Sequence, residues 1–269
     1  MKITVCTLAI NEWYQDVVRY GLKNLENYCN THNYECIIDY GINDTVFDSL
    51  RQEQWYKILL IEKILKCNNS DYIVWIDADC QILKPTTRLE YFIEKYFDSN
   101  VELIVTQDNN VLNTGVMFIK NSQFNLELMR KIWENSDGDF FKDFHEQTSL
   151  AELYTNNTDI KEKIKIIPYG DKDELVCYWA NYYPGKNFLL HSARCSHDTL
   201  SFMYMMDQYY IYKLDEETED EYNIRMEWLN NESQCVEDAR KLLNGEYVPR
   251  NYSARCIKYL EKIKNKNLT

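Results

Sequence analysis

The chain has 269 residues, enough for one large domain or one domain with a small appendage, and its 45% hydrophobic fraction can fill a sizeable core. Its 43 acidic and 30 basic residues give a formal net charge of −13, which excludes bulk binding to nucleic acid, since that needs a basic footprint to displace phosphate counterions. An anionic ligand must therefore meet a local positive group or a metal ion.

The first two thirds alternate strand-like and helix-like stretches. Ile3 to Leu8 is an apolar run typical of a buried strand, followed by a helix over Asp16 to Cys29 and a second strand over Glu35 to Asp39. Arg51 to Lys66 carries Trp55, Ile58, Ile61 and Leu65 at spacings near 3.6, an amphipathic helix. Tyr72 to Ile76 is a buried strand that stops at Asp77. Helix returns over Thr87 to Tyr96, after Pro85, which suits a helix start. Val101 to Thr106 and Gly115 to Ile119 are strands. Ser122 to Glu134 and Glu146 to Tyr154 are helical, and Ile164 to Ile167 and Phe188 to Leu190 close the strand series. This alternation predicts an α/β architecture with a mixed, mostly parallel sheet flanked by helices. Beyond His197 the pattern becomes helical, over Thr199 to Tyr212, Glu219 to Asn230, Ser233 to Leu243 and Ser253 to Lys264. The expected division is a domain over 1–198 and a C-terminal helical extension over 199–269, which can shape an acceptor site or form a homodimer.

No run approaches the roughly 20 apolar residues of a membrane span, and the apolar start runs into Asn11-Glu12 without a clear cleavage site. The nine cysteines are odd in number and never spaced CxxC, so neither a zinc site nor a disulfide framework is indicated. A cytoplasmic protein is the expectation. The abundance of Asn, Lys, Ile and Tyr matches the coding bias of an AT-rich genome, a viral one included.

The sharpest feature is Trp75-Ile76-Asp77-Ala78-Asp79-Cys80. Two carboxylates lie two residues apart at the C-terminal end of a buried strand, the edge where open α/β sheets bind ligands. On a continuing strand they share a side and can approach one hard cation, Mg²⁺ or Mn²⁺. The alternative is an Asp pair that only caps a helix and solvates a loop. Neither G-x-G-x-x-G nor G-x-x-x-x-G-K-[ST] is present, so a nucleotide diphosphate on this acidic chain would be neutralised by a metal rather than by a backbone cradle.

Further segments occur in an order that resembles the GT-A glycosyltransferases, specifically the family 34-like group of yeast galactosyl- and mannosyltransferases and plant xyloglucan xylosyltransferases. They are Gln54-Trp55-Tyr56-Lys57, the Asp77-Ala78-Asp79 strand end, Asn113-Thr114-Gly115-Val116-Met117-Phe118-Ile119, His145-Glu146-Gln147-Thr148-Ser149-Leu150, Ile166-Ile167-Pro168, and Phe188 to Cys195. The resemblance covers roughly residues 1 to 200 and implies a GT-A, Rossmann-like nucleotide-sugar-binding fold. It also implies a metal-dependent retaining transfer of a hexose or pentose from a nucleotide-diphosphate sugar to an acceptor hydroxyl.

By that resemblance Asp77, Asp79 and His191 hold the metal, Mn²⁺ with Mg²⁺ as the alternative; a satisfied core histidine is the other reading of His191. Thr7, Leu8 and Ala9 pack the nucleotide base. Lys57, Ala78 and Arg194 approach the donor, a solvated helix lysine being the alternative for Lys57. Asp108 and Asn113 face the donor sugar. Glu146 and Gln147 lie beside the anomeric carbon, or are ordinary first-turn helix residues. A UDP-sugar is the favoured donor, a GDP-sugar the second choice, and the acceptor is a glycan, protein or small molecule.

Three departures stand out. Arg194 replaces the glycine of the family's closing motif, His145-Glu146 stands where some relatives have an Asp pair, and the membrane anchor of most relatives is not evident. The rival readings are a DxD metal-dependent phosphohydrolase, although Gln81 departs from that pattern, and a non-catalytic sugar-nucleotide-binding protein.

Overall fold

The computed structural model describes residues 1–10, 12–41, 51–67, 69–107, 112–135, 144–168, 174–178, 187–191, 218–220 and 223. Its elements are β1 (Ile3–Leu8), α1 (Glu12–His32), β2 (Glu35–Asp39), a 3₁₀ turn (Glu53–Trp55), α2 (Tyr56–Cys67), β3 (Tyr72–Ile76) and β4 (Cys80–Ile82). Next come α3 (Leu89–Tyr96), β5 (Leu103–Thr106), β6 (Asn113–Lys120), α4 (Gln123–Glu134), α5 (His145–Asn156), α6 (Thr158–Lys163), β7 (Ile164–Ile167), β8 (Val176–Tyr178) and β9 (Leu189–His191).

Six strands form the main sheet in the order β2-β1-β3-β6-β5-β7. β1 runs parallel to β2 and β3, and β5 parallel to β7, whereas β6 is antiparallel to both of its neighbours. This is the mixed, mostly parallel sheet that the sequence predicts. The reversed direction of β6 brings its first residues to the edge where β3 ends, and Ile76 lies opposite Val116.

Side-chain alternation sorts the core into two layers. Val5, Val74, Ile76, Ile104, Val116 and Phe118 face Leu25 and Tyr28 of α1, Phe92 of α3, and the small sheet. Cys6, Ile73, Trp75, Leu103, Val105 and Met117 face Ile58 and Ile61 of α2, Leu128 of α4 and Leu150 of α5. Strands covered on both faces read as continuous apolar runs, which is why β1, β3 and β5 were legible in the sequence.

Three elements were not anticipated. β4, β9 and β8 make a second sheet in which β4 is antiparallel and β8 parallel to β9. Two of these strands, β4 and β8, had no place in the sequence reading. The third element is α6, capped by Asn157, whose side chain accepts from the Ile160 N–H at 3.2 Å. Helix α1 is longer than expected, and β6 begins two residues earlier. Of the expected C-terminal helices, described residues 219, 220 and 223 are helical; the rest lie outside the described residues. Among the described residues no helix is long and apolar enough to cross a membrane.

Asn24 fastens the second sheet to α1. Its amide donates to the Ile82 carbonyl at 3.2 Å and accepts from the Ile82 N–H at 2.7 Å. Asn24→Ala strands both buried backbone groups, so we expect a loss of about 3 kcal/mol, a fall in Tm of roughly 10 °C by thermal denaturation. A Tm unchanged within error would mean that this bridge carries no stability.

Candidate active site

Asp77 directly follows β3, and its N–H donates to the Gly115 carbonyl at 2.8 Å. Two residues back on the same face, the Trp75 indole donates to Asp77 Oδ1 at 2.6 Å. The same oxygen receives Lys57 Nζ at 3.0 Å. Lys57 also meets Glu146 Oε1 at 2.9 Å. Its ammonium is thus shared between two carboxylates from different elements, with its side chain only 7% exposed. Burial works against the charge, but Asp77 and then Glu146 outweigh it and hold the ammonium above its ordinary range.

Lys57 stands in the first turn of α2, where the helix dipole disfavours a cation and no acidic residue compensates within the turn. Glu146, in the first turn of α5, has the sign the dipole favours. The chain enters α5 through His145, a non-glycine residue with φ of 52°. Burial, followed by the nearby Lys57 charge, holds the His145 imidazole below its ordinary range against the opposing effect of Glu146.

On the other side of Asp77, His191 Nε2 lies 3.6 Å from Asp77 Oδ2 and 3.4 Å from Asp79 Oδ1. His191 is buried; that burial opposes protonation, but Asp79 and Asp77 outweigh it and raise its pKa. Its ring lies against Gly115: a Cβ there would fall 2.6 Å from His191 Nδ1 and 2.8 Å from Nε2. The glycine of the Asn113-Thr114-Gly115 run is therefore what lets the imidazole reach the two aspartates. Oδ1 of Asp77 being engaged, Oδ2 is the oxygen left beside His191. Two carboxylate oxygens and an imidazole nitrogen thus converge at one sheet edge, a donor set suited to Mn²⁺ and acceptable to Mg²⁺.

Glu146 and Gln147 join the network through β6. Thr114 donates its hydroxyl to Glu146 Oε1 at 2.9 Å and its N–H to Gln147 Oε1 at 3.1 Å. The Gln147 oxygen is engaged, which leaves its amino group as the end a ligand would meet. Glu146 Oε2 is buried and has no hydrogen-bond partner among the described residues. Asn113 accepts from the Gly115 N–H at 2.8 Å and so shapes the start of β6.

Of the residues singled out from sequence, the structure gathers Lys57, Asp77, Asp79, Asn113, Glu146, Gln147 and His191 around one edge. Thr7, Leu8 and Ala9 end β1 beside it, and Ala9 packs with Ala78 in one small apolar cluster. Asp108 and Arg194 lie outside the described residues. The sequence reading missed Trp75 and Thr114 as hydrogen-bond partners, although both sit inside the motifs. It also missed half-buried Tyr14, whose phenol is pushed well above its ordinary range by burial and then by Asp79 and Asp77. Cys80 was passed over too; its thiol is raised by burial and by the same two aspartates.

Gly115→Ala should displace the His191 ring and lower Mn²⁺ affinity roughly tenfold or more, read by electron paramagnetic resonance of free Mn²⁺. Unchanged affinity in a folded variant would remove His191 from the ligand set.

Residues 92–221 match the galactosyl transferase GMA12/MNN10 family, and residues 25–151 match a family described as a protein of unknown function, DUF273. The chain is 22% identical over 177 residues to the probable alpha-1,6-mannosyltransferase MNN10 of Saccharomyces cerevisiae, covering 55% of this chain and 45% of that protein. It is 28% identical over 117 residues to xyloglucan 6-xylosyltransferase 1 of Arabidopsis thaliana, covering 40% of this chain and 24% of that protein. The chain thus matches less than half the length of either. Among solved structures, a glycosyltransferase involved in glycosylation of the major capsid of PBCV-1 superposes with a TM-score of 0.60 at 15% identity, over 76% of this chain and all of that one. Streptococcus pneumoniae GlyE, also a glycosyltransferase, gives a TM-score of 0.51 at 12% identity, over 86% of this chain and 64% of that one. The resemblance carried by the motifs is thus matched in sequence and in fold: the chain has the GT-A fold of glycosyltransferases and, over residues 92–221, the sequence pattern of the galactosyl transferase GMA12/MNN10 family.

Proposed function

We propose that this chain transfers a hexosyl or pentosyl group from a nucleoside-diphosphate sugar to an acceptor hydroxyl, with a divalent cation and with retention of anomeric configuration. The observation that carries the reading is the convergence of Asp77, Asp79 and His191 beside the buried Lys57–Glu146 pair. The family and fold matches are to glycosyltransferases and lend no support to a phosphohydrolase or a non-catalytic binder.

Asp77, through Oδ2, Asp79 and His191 would hold Mn²⁺, or Mg²⁺ in its place. When bound, the cation supplies Lewis-acid neutralisation of the leaving diphosphate, which an acidic chain without a phosphate loop otherwise lacks. The β1 end at Thr7 to Ala9 offers a floor for the base; Thr7 is fully buried and its hydroxyl has no hydrogen-bond partner among the described residues. Asn113 and Gln147 would orient sugar hydroxyls, Gln147 through its amino group, and Asp108 and Arg194 are assigned to the donor by resemblance alone. Glu146, paired with Lys57 through Oε1, directs the unengaged Oε2 to stabilise positive charge developing at the anomeric carbon. Positioning of the acceptor supplies the rest of the acceleration.

UDP-sugars are the first donors to test and GDP-sugars the second. The names of the yeast and plant relatives point to a glycan acceptor. Residues 1–198 would form the transferase unit and 199–269 an extension that shapes the acceptor side.

The test is a panel of nucleotide sugars assayed for Mn²⁺-dependent transfer or slow hydrolysis, with the product anomer identified by NMR. A retained anomer is expected; an inverted one would recast Glu146 as a general base for the acceptor hydroxyl. Glu146→Gln should lower kcat by about a hundredfold while donor affinity is kept, the signature of an interaction made in the transition state. A loss confined to Tm, with kcat intact, would reduce Glu146 to a structural partner of Lys57.

A further inference from the structure

The aspartates that face His191 are not its only close donors. Cys80 begins β4 and lies directly across the antiparallel pair from His191 in β9. Ligand atoms of Asp79, Cys80 and His191 all lie within 4.8 Å of one another, and both Cys80 and His191 are buried. Tetrahedral zinc, with bonds of about 2.0–2.3 Å, sets its donors somewhat under 4 Å apart, so a small closure brings the three into range. The sequence concealed this group because its cysteine and histidine sit on strands far apart in the chain.

The chemistry of the three donors is mixed. A carboxylate and an imidazole accept Mn²⁺, but a thiolate is soft and favours Zn²⁺, which also stands well above Mn²⁺ in intrinsic affinity for nitrogen and sulfur ligands. We propose that Asp79, Cys80 and His191 form a second, thiophilic coordination set within this cation site, one that takes Zn²⁺ or Cd²⁺ and thereby displaces the cation that serves the donor diphosphate. On binding, the sulfur–metal bond forms as the Cys80 S–H bond breaks, and the proton passes to solvent; no oxidant or reductant is involved. Asp77 Oδ2, 3.6 Å from His191 Nε2, or a water, completes a fourfold shell. The consequence is regulatory: zinc acts as an inhibitor that competes with Mn²⁺ for His191 and Asp79. The inference rests on the reading of those two residues as cation ligands.

Co²⁺ serves as the spectroscopic probe for Zn²⁺. Titrated into the full chain, Co²⁺ should produce a sulfur-to-cobalt charge-transfer band in the near ultraviolet, lost on adding one equivalent of Zn²⁺. Cys80→Ser should lose the band. The chain holds nine cysteines, so this variant, and Cys80→Ala should the serine variant fail to fold, assigns the band. In parallel, electron paramagnetic resonance follows bound Mn²⁺. One equivalent of Zn²⁺ should release it from the wild type, whereas Cys80→Ser should keep binding Mn²⁺ and need more Zn²⁺ than the wild type to release it. A wild type that binds Mn²⁺ but shows no charge-transfer band, or a band that persists in both Cys80 variants, overturns the thiophilic set alone. A wild type that shows the cobalt band but never binds Mn²⁺ supports the thiophilic set and instead overturns the reading of the site as a Mn²⁺ centre.

Discussion

A single buried ammonium holds the candidate site together. Lys57 bridges Asp77 at the end of β3 and Glu146 at the start of α5, and its own helix gives it no electrostatic help. A cation placed at the unfavourable end of a helix and then buried is a local conflict of the kind that marks a functional site rather than a stabilising one. Removing one partner of such a buried ionic group typically costs about 3–5 kcal/mol, because the others are left as unpaired charges. The arrangement fixes which oxygens remain for ligands. Asp77 Oδ1 is occupied by Lys57 and Trp75, so Oδ2 faces His191, and Glu146 Oε1 is occupied by Lys57 and Thr114, so Oε2 remains. Asp77 and Glu146, the carboxylates proposed to serve the cation and the sugar, are therefore oriented by the same side chain.

Topology supplies the meeting place. In a wholly parallel sheet, the residues that open a strand lie at the opposite edge from those that end its neighbour. Because β6 runs against β3, Asn113, Thr114 and Gly115 arrive beside Asp77. Gly115 then clears space for the His191 ring, and Thr114 ties β6 to α5. The second sheet completes the edge, since β9 carries His191 and β4 carries Cys80, with Asn24 of α1 gripping the strand that holds the latter. The candidate site is thus assembled from segments whose only common feature is the end of the sheet they reach.

Much of this was legible in the sequence, for identifiable reasons. Strands buried on both faces announce themselves as apolar runs, so β1, β3, β5 and β7 were found near their true bounds. The Asp77–Asp79 pair was legible because it interrupts such a run. β4 and β8 were not, since three residues are too few for a period and their extended state depends on pairing with β9. The direction of β6 was equally invisible, because an apolar run has no sign. Lys57 was noticed through its motif, but its burial between two carboxylates of the chain itself is visible only in the structure, since Asp77 and Glu146 lie far from it in the chain. Gln147 was marked correctly as a polar residue at a helix start; only the hydrogen bond from Thr114 reveals which end of its amide is spent.

The account turns on one claim, that Asp77, Asp79 and His191 form a cation centre on which nucleotide binding depends. Titration calorimetry of the chain with UDP, with and without Mn²⁺, tests it most directly, with Asp79→Asn as the matched variant, since the amide keeps the shape of the carboxylate and removes its charge. The account predicts that UDP binds only when Mn²⁺ is present and that Asp79→Asn abolishes this binding with little change in Tm. UDP binding of equal strength in excess chelator, or undiminished in Asp79→Asn, would contradict it.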